Sequence, residues 1–235
     1  MSVTWQTFAD REALAVALAD DLVAGIQTAE SAGDRFGLAV SGGSTPRRLF
    51  GELSGRSAPW DHVDLVLVDE RWTEEEEDRN ELLIRTELLQ GHAAEAKFWD
   101  LWALFGDLGA GNAAMRIERH AIASECLPPA RSMHVTLLGM GLDAHTASLF
   151  PQAPQLAAAL STSAGWTATD PVTAPHMRVT MTRSAIAASG RVILHIEGAE
   201  KREVLERALA EQETPHAPIR SVAEAVTDLE VWWAP

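Results

Sequence analysis

The chain has 235 residues, 46% of them hydrophobic, and its 34 Asp and Glu against 19 Lys and Arg leave a formal net charge of −15 at pH 7. That length suits one large α/β domain over residues 1–235, and the lack of a long charge-free apolar run excludes a membrane-spanning helix. The acidic balance argues against nucleic acid, which calls for clustered Lys and Arg, yet permits a small anionic metabolite held by local backbone amides and a few arginines.

The opening MSVTWQTFADREALAVALADDL is acidic and helically spaced, where an export signal needs a basic start and a compact apolar block. A cytoplasmic location is therefore expected. Cys126 is the only cysteine and reads as a small buried residue without a catalytic role. Leu14, Leu18, Leu22 and Ile26 recur every fourth residue, predicting a helix from Asp10, as N-cap, to about Ala29. Phe36 to Val40 reads as a strand running into Ser41-Gly42-Gly43-Ser44-Thr45-Pro46, with Thr45 capping the next helix and Pro46 at its first position. Two glycines, three hydroxyls and a helix start meet the needs of a phosphate, but an ordinary βα turn has the same composition. The loop matches neither the P-loop nor the dinucleotide fingerprint.

Val63 to Val68 is a second strand, delivering Asp69, Glu70 and Arg71 at its end. Arg71 offers a planar fork to phosphate or an oxyanion, or else a structural ion pair with Asp69 or Glu70. Glu74 to Asp78 is a solvated acidic run. Glu81 to Leu89 predicts a helix, and the tryptophans of Lys97 to Ala103 suit core or pocket wall. A loop at Gly106 to Gly111, a helix capped by Asn112 and running to about Cys126, and a break at Pro128-Pro129 follow. Such alternation implies a parallel sheet with helices on both faces.

The strand at Val135, Leu137 and Leu138 ends at Gly139 and Gly141 and hands over Asp143 and His145 at the edge where open sheets bind ligands. From Pro151 to Pro175 the chain reads as an excursion or small subdomain bordering a pocket. Arg178 to Thr182 and Arg191 to Ile196 are strands, with a short helix through Ile186 between them; His195, alternating with apolar residues, reads as a buried structural histidine. Gly198 introduces a helix from Lys201 to Leu209, and Leu229 to Trp233 closes the chain as a strand or tail.

Five stretches, SGGSTP (41–46), DER (69–71), GMGLDAHTASLFP (139–151), RVTMT (178–182) and GAEKREVL (198–205), resemble the 6-phosphogluconolactonases in order and spacing along nearly the whole chain. The resemblance implies a Rossmann-like three-layer α/β/α fold with a mainly parallel sheet and a small additional subdomain. It implies hydrolysis of 6-phospho-D-glucono-1,5-lactone in the oxidative pentose phosphate pathway, without metal or organic cofactor, by a monomer or weak homo-oligomer acting on a small phosphorylated lactone. His145 is the expected general acid and base, with Asp143 orienting it and Arg71 facing the oxyanion. Ser41, Gly42, Gly43, Ser44, Thr45, Asp69, Arg178 and Lys201 are the expected substrate and phosphate contacts, with Arg47 as a further cation. Two positions depart from the family pattern: Ala144 stands where glycine is usual, and Asp78-Arg79-Asn80 where Asp-Ser-Asn is common. The alternatives are an amino-sugar phosphate deaminase or isomerase, whose second motif reads Asp-Glu-Tyr rather than ending in Arg71, and a non-catalytic sugar-phosphate sensor.

Overall fold

The computed structural model describes residues 1–105, 133–210 and 217–235. The expected loop at Gly106 to Gly111, the Asn112-capped helix to Cys126 and the break at Pro128-Pro129 lie outside the described residues.

Seven strands form one parallel sheet: β1 (Val3–Thr7), β2 (Phe36–Val40), β3 (Val63–Leu67), β5 (Lys97–Trp99), β6 (Met133–Leu138), β9 (Arg191–Glu197) and β10 (Leu229–Ala234). Their order is β1-β10-β9-β6-β2-β3-β5. All five residues of β2 are buried, as expected for a central strand covered on both faces. A second, antiparallel sheet contains β4 (Asp69–Trp72), β8 (Met177–Met181) and β7 (Trp166–Thr169). Val68 joins the two sheets: its N–H donates to Val40 and its carbonyl accepts from Met181. The residues expected at the carboxyl end of β3 therefore form a strand of their own, Asp69–Trp72.

The helices are α1 (Arg11–Ser31), α2 (Arg47–Gly55), α3 (Asn80–Leu83), α4 (Leu101–Phe105), α5 (Leu156–Ser161), α6 (Arg183–Ala187), α7 (Ala199–Ala210) and α8 (Pro218–Ala225). Asp10 caps α1 by accepting from the Ala13 N–H at 2.8 Å, and the Leu14, Leu18, Leu22 and Ile26 stripe is buried, as the spacing predicts. Chain progression runs from β1 through β2 and β3 to β5 in one direction, then from β6 through β9 to β10 in the other. With right-handed crossovers, the helices of the first half cover one face and those of the second half the other. Ion pairs from Arg191 to Asp21 and from Arg11 to Glu197 hold α1 against the odd-numbered face of β9.

Local readings differ in four places. Pro46, not Thr45, occupies the N-cap of α2 and, as a proline, offers no side-chain bond to the helix, while the Thr45 hydroxyl accepts from Lys201. The helix expected over 81–89 starts at Asn80 and widens at Ile84–Leu88 into a π turn, in which the Leu89 N–H reaches back five residues to Ile84. The excursion after Pro151 supplies α5 and β7. Strand β1 and helix α8 have no counterpart in the sequence reading, since each is too short to establish a period.

Leu38, fully buried at the centre of β2, reports on this core. Leu38→Ala is expected to lower the unfolding free energy by about 2–5 kcal/mol, seen as a lower urea midpoint at unchanged slope.

Candidate functional site

Where the strand order reverses, between β2 and β6, the carboxyl ends of the strands leave a crevice. A cavity of about 450 Å³ occupies it, lined by the turn Ser41 to Pro46, the turn Leu137 to Gly141, and residues from the small sheet and from α7. Ser41 ties the two turns together. Its hydroxyl donates to the Leu137 carbonyl at 3.2 Å and accepts from the Gly139 N–H at 3.0 Å. That side chain is thus committed to fixing the rims, which leaves Gly42 to Thr45 as the part of its loop open to a ligand. Gly43 has φ +91°, a left-handed conformation suited to glycine, and an added Cβ on Gly42 would collide with the Asn80 amide. Lys201 reaches from α7 into the same loop, its Nζ 3.1 Å from the Thr45 hydroxyl. Burial pulls the Lys201 pKa below the usual value, against the pull of Glu197. Arg47 points away: it pairs with Glu87 at 2.7 Å and is absent from the cavity lining.

His145 lines the same cavity, with Asp143 hydrogen-bonded to its ring. Asp143 Oδ1 hydrogen-bonds His145 Nδ1 and accepts from the His145 backbone N–H. The imidazole stacks on Phe150, with centroids 4.2 Å apart, so carboxylate and ring together set its orientation. Burial pushes the Asp143 carboxyl up, but the hydrogen bonds and charge of His145 outweigh it, leaving a pKa below the ordinary value. Gly141 leaves no room for a side chain, since a Cβ there would strike the His145 ring. Ala144 takes φ +62°, the left-handed backbone its usual glycine would favour. The strain of about 1–2 kcal/mol is partly offset by burying its methyl, worth about 0.8 kcal/mol.

The cavity wall between these ends is cationic. Arg71 on β4 and Arg178 on β8 are register partners across the antiparallel pair, and the Nε of each is buried without a hydrogen-bond partner. Arg71 Nη1 donates to the Asp78 carbonyl at 2.6 Å and Arg178 Nη2 to the Pro175 carbonyl at 3.0 Å. No ion pair joins Arg71 to Asp69 or Glu70 among the described contacts. Arg178 is 5% exposed, and burial lowers its pKa against the opposing charge of Asp69 and Glu70. Asp69 is occupied by the Ser148 hydroxyl at 2.6 Å, which links the DER strand to the histidine turn.

Asn80, His176, Ser148 and Phe150 belong to the site or its supports, and the sequence reading assigned none of them a part there. Asn80 has a sequence signal, lying where the family's acidic loop carries Asn. Its side chain donates to the Asp69 carbonyl at 3.0 Å and abuts Gly42. His176 hydrogen-bonds Asp78 at 3.1 Å across the mouth. Among the described residues no three His, Cys, Asp or Glu side chains group as metal ligands would.

Glu70 explains how the Asn80 loop is held. It is 1% exposed and accepts three backbone N–H bonds, from Arg71, Asn80 and Glu81, at 2.6 to 2.7 Å. Burial drives its pKa up to about 7, with the Asp69 charge adding to the rise and the three donors opposing it. A carboxyl whose folded pKa is raised contributes stability below its unfolded value of 4.5 and loses it as pH climbs to about 7. Wild type is therefore expected to lose stability relative to Glu70→Gln between those pH values. Urea unfolding of both proteins across that window checks it, and a wild-type advantage that grows with pH would contradict the assignment.

Fold and cavity define a class: an α/β protein with a ligand crevice at a topological switch point, one end rich in backbone donors and cations, the other carrying an Asp–His pair. Residues 9–233 match the sequence profile described as Glucosamine-6-phosphate isomerases/6-phosphogluconolactonase. The chain belongs to that family. It is 40% identical over its full length to the full length of a 6-phosphogluconolactonase of Rhizobium meliloti, and 38% identical to one of Neisseria meningitidis over 93% of each chain. The crystal structure of a 6-phosphogluconolactonase from Shewanella baltica superposes with a TM-score of 0.87 at 36% identity, covering 100% of this chain and 98% of that one. A monomeric glucosamine-6-phosphate deaminase shares the fold, with a TM-score of 0.72 at 16% identity over 100% of this chain and 97% of its own. No helix among the described residues is long and apolar enough to cross a membrane.

Proposed function

We propose that this chain hydrolyses 6-phospho-D-glucono-1,5-lactone to 6-phosphogluconate, the lactone-opening step of the cytoplasmic oxidative pentose phosphate pathway. The observation that carries the proposal is His145, held by Asp143, lining one cavity together with a glycine turn and a half-buried lysine. The names of its full-length relatives support the same substrate.

The phosphate lies against Gly42 to Thr45 and Lys201, with Arg178 completing the charge. This anchors the sugar so that its C1 carbonyl approaches His145. Asp143 holds Nδ1 and leaves Nε2 free to take a proton from water as the water oxygen bonds C1. The negative charge that gathers on the carbonyl oxygen meets the Arg71 guanidinium. When the carbonyl reforms, the bond from C1 to the ring oxygen breaks and the imidazolium returns its proton to that oxygen. The product acid then releases its own proton to solvent. Asp143 stays ionised throughout and steadies the imidazolium formed midway, consistent with its depressed pKa.

His145→Ala is expected to lower kcat/KM by about 10²–10⁴-fold, with lactone generated in place and spontaneous opening subtracted. Turnover that stayed at the wild-type level would remove His145 from the reaction. Arg178→Ala should act mainly on KM, because a phosphate contact is shared by ground and transition states. Ammonia release from glucosamine 6-phosphate, measured in parallel, should remain at background; a signal there would favour the deaminase chemistry.

A further inference from the structure

His195 is a polar side chain in the cavity wall that the proposed reaction leaves unused. It lies on β9, 2% exposed, and both ring nitrogens lack a hydrogen-bond partner. A neutral imidazole buried in this way forgoes a donor and an acceptor interaction that water would supply, a cost a native core normally avoids. Two residues along the strand, Glu197 Oε1 stands 3.5 Å from His195 Nε2, and that oxygen is likewise unpartnered. Trp232 of β10 flanks the ring in register. The other charged groups that bear on Glu197 are Arg11 of α1 and Arg48 of α2, and Lys201 of α7 feels Glu197 in turn. His195 and Lys201 thus both line the cavity, and Lys201 reaches the glycine turn through Thr45.

We propose that His195 is a ligand of the substrate's phosphate, an inference that rests on the placement of the phosphate at the Gly42 to Thr45 turn. As an imidazolium it donates one N–H to a phosphate oxygen and the other to Glu197. A dianion on one side and a carboxylate on the other both favour the charged ring, so a bound phosphate gives the ring a hydrogen-bond partner that the protein does not. Glu197 is then a positioning residue, which turns the ring and balances its charge without touching substrate. Sugar lactones without the phosphate gain nothing from this contact. His195 accordingly discriminates for the phosphorylated substrate through binding rather than through the reacting carbon.

The test uses the full chain, with inorganic phosphate as competitive inhibitor and with phosphorylated and unphosphorylated gluconolactone as substrates. His195→Leu should raise the phosphate inhibition constant and the KM for the phosphorylated lactone by about tenfold or more, with the loss falling on KM rather than kcat. His195→Gln, which retains an N–H donor, should recover part of it. Lys201→Met serves as the control. If Lys201→Met weakens phosphate inhibition and His195→Leu leaves it unchanged, His195 is no ligand while the phosphate placement stands. If neither substitution changes it, the placement fails and the inference falls with it. Should the leucine variant fail to fold, 15N spectra of the wild-type histidines decide the matter, with the His195 ring assigned through its contacts with Trp232. Phosphate should move that ring to the doubly protonated form, and an unmoved ring would overturn the proposal.

Discussion

Reversal of the strand order between β2 and β6 is the constraint on which the rest of the molecule depends. Neighbouring parallel strands whose chains depart toward opposite faces cannot both have their ends covered by the same connection, so the gap between them stays open to a ligand. The Ser41 hydroxyl spans that gap and turns two independent loops into one rim. Because one loop presents glycine amides and the other presents the Asp143–His145 pair, the tie also sets the span between the proposed phosphate site and the proposed site of proton transfer. A substrate bound at both is aligned by the backbone rather than by flexible side chains, the kind of pre-organisation from which catalysis draws its orientation advantage.

Charge must be managed locally in a chain with a net −15. Arg71 and Arg178 face each other across an antiparallel pair, a juxtaposition of like charges that is unfavourable in itself. Asp69 and Glu70 on the same strand offset it, although neither forms a direct ion pair with the arginines among the described contacts. Asp69 is taken by Ser148, and Glu70 by three backbone donors. The arginines are stabilised by the field of these carboxylates while their Nε groups stay unclaimed, a cationic wall that an anion would complete. The acidic exterior repels stray anions at long range, where salt screens it, and the cavity attracts at short range, where screening is weak.

What sequence could reveal followed from the range of the forces involved. Helix α1 and strands β2, β3, β6 and β9 were legible because periodicity and Gly or Pro punctuation are local. So were the clustering of Gly42, Gly43, Asp143, His145, Arg71, Arg178 and Lys201, since strand-end residues of a parallel sheet converge on one edge whatever the details. Strand β1 was not legible, because its pairing with β10 lies more than 220 residues away in the chain. The commitments of individual side chains were also hidden: Ser41 is spent on the rims, Arg47 on Glu87, and Thr45 on Lys201 instead of on its helix. His195 shows the limit most clearly. Alternation correctly made it buried, but its strand ends beside the cavity, and only the fold places a polar ring there without a partner.

The histidine turn illustrates how strain and packing combine at such a site. Ala144 and Ala147 both take positive φ, at +62° and +46°, in a turn where glycine would be unstrained. The turn is held by the Ala144 N–H to Gly141, the Gly141 N–H to His145, the Thr146 hydroxyl to Gly139, and the Ile219 N–H of α8 to the Ala144 carbonyl. Four bonds from both sides of the turn over-determine a backbone that a free alanine would avoid. Alanine in place of glycine also narrows the unfolded ensemble, so less entropy is lost when this segment is fixed. The same substitution that strains the folded turn therefore restricts its motion, and a rigid turn keeps the imidazole stacked on Phe150 at one distance from the opposite rim. Rigidity here suits the proposed proton transfer, which demands a fixed donor–acceptor geometry more than it demands a relaxed backbone.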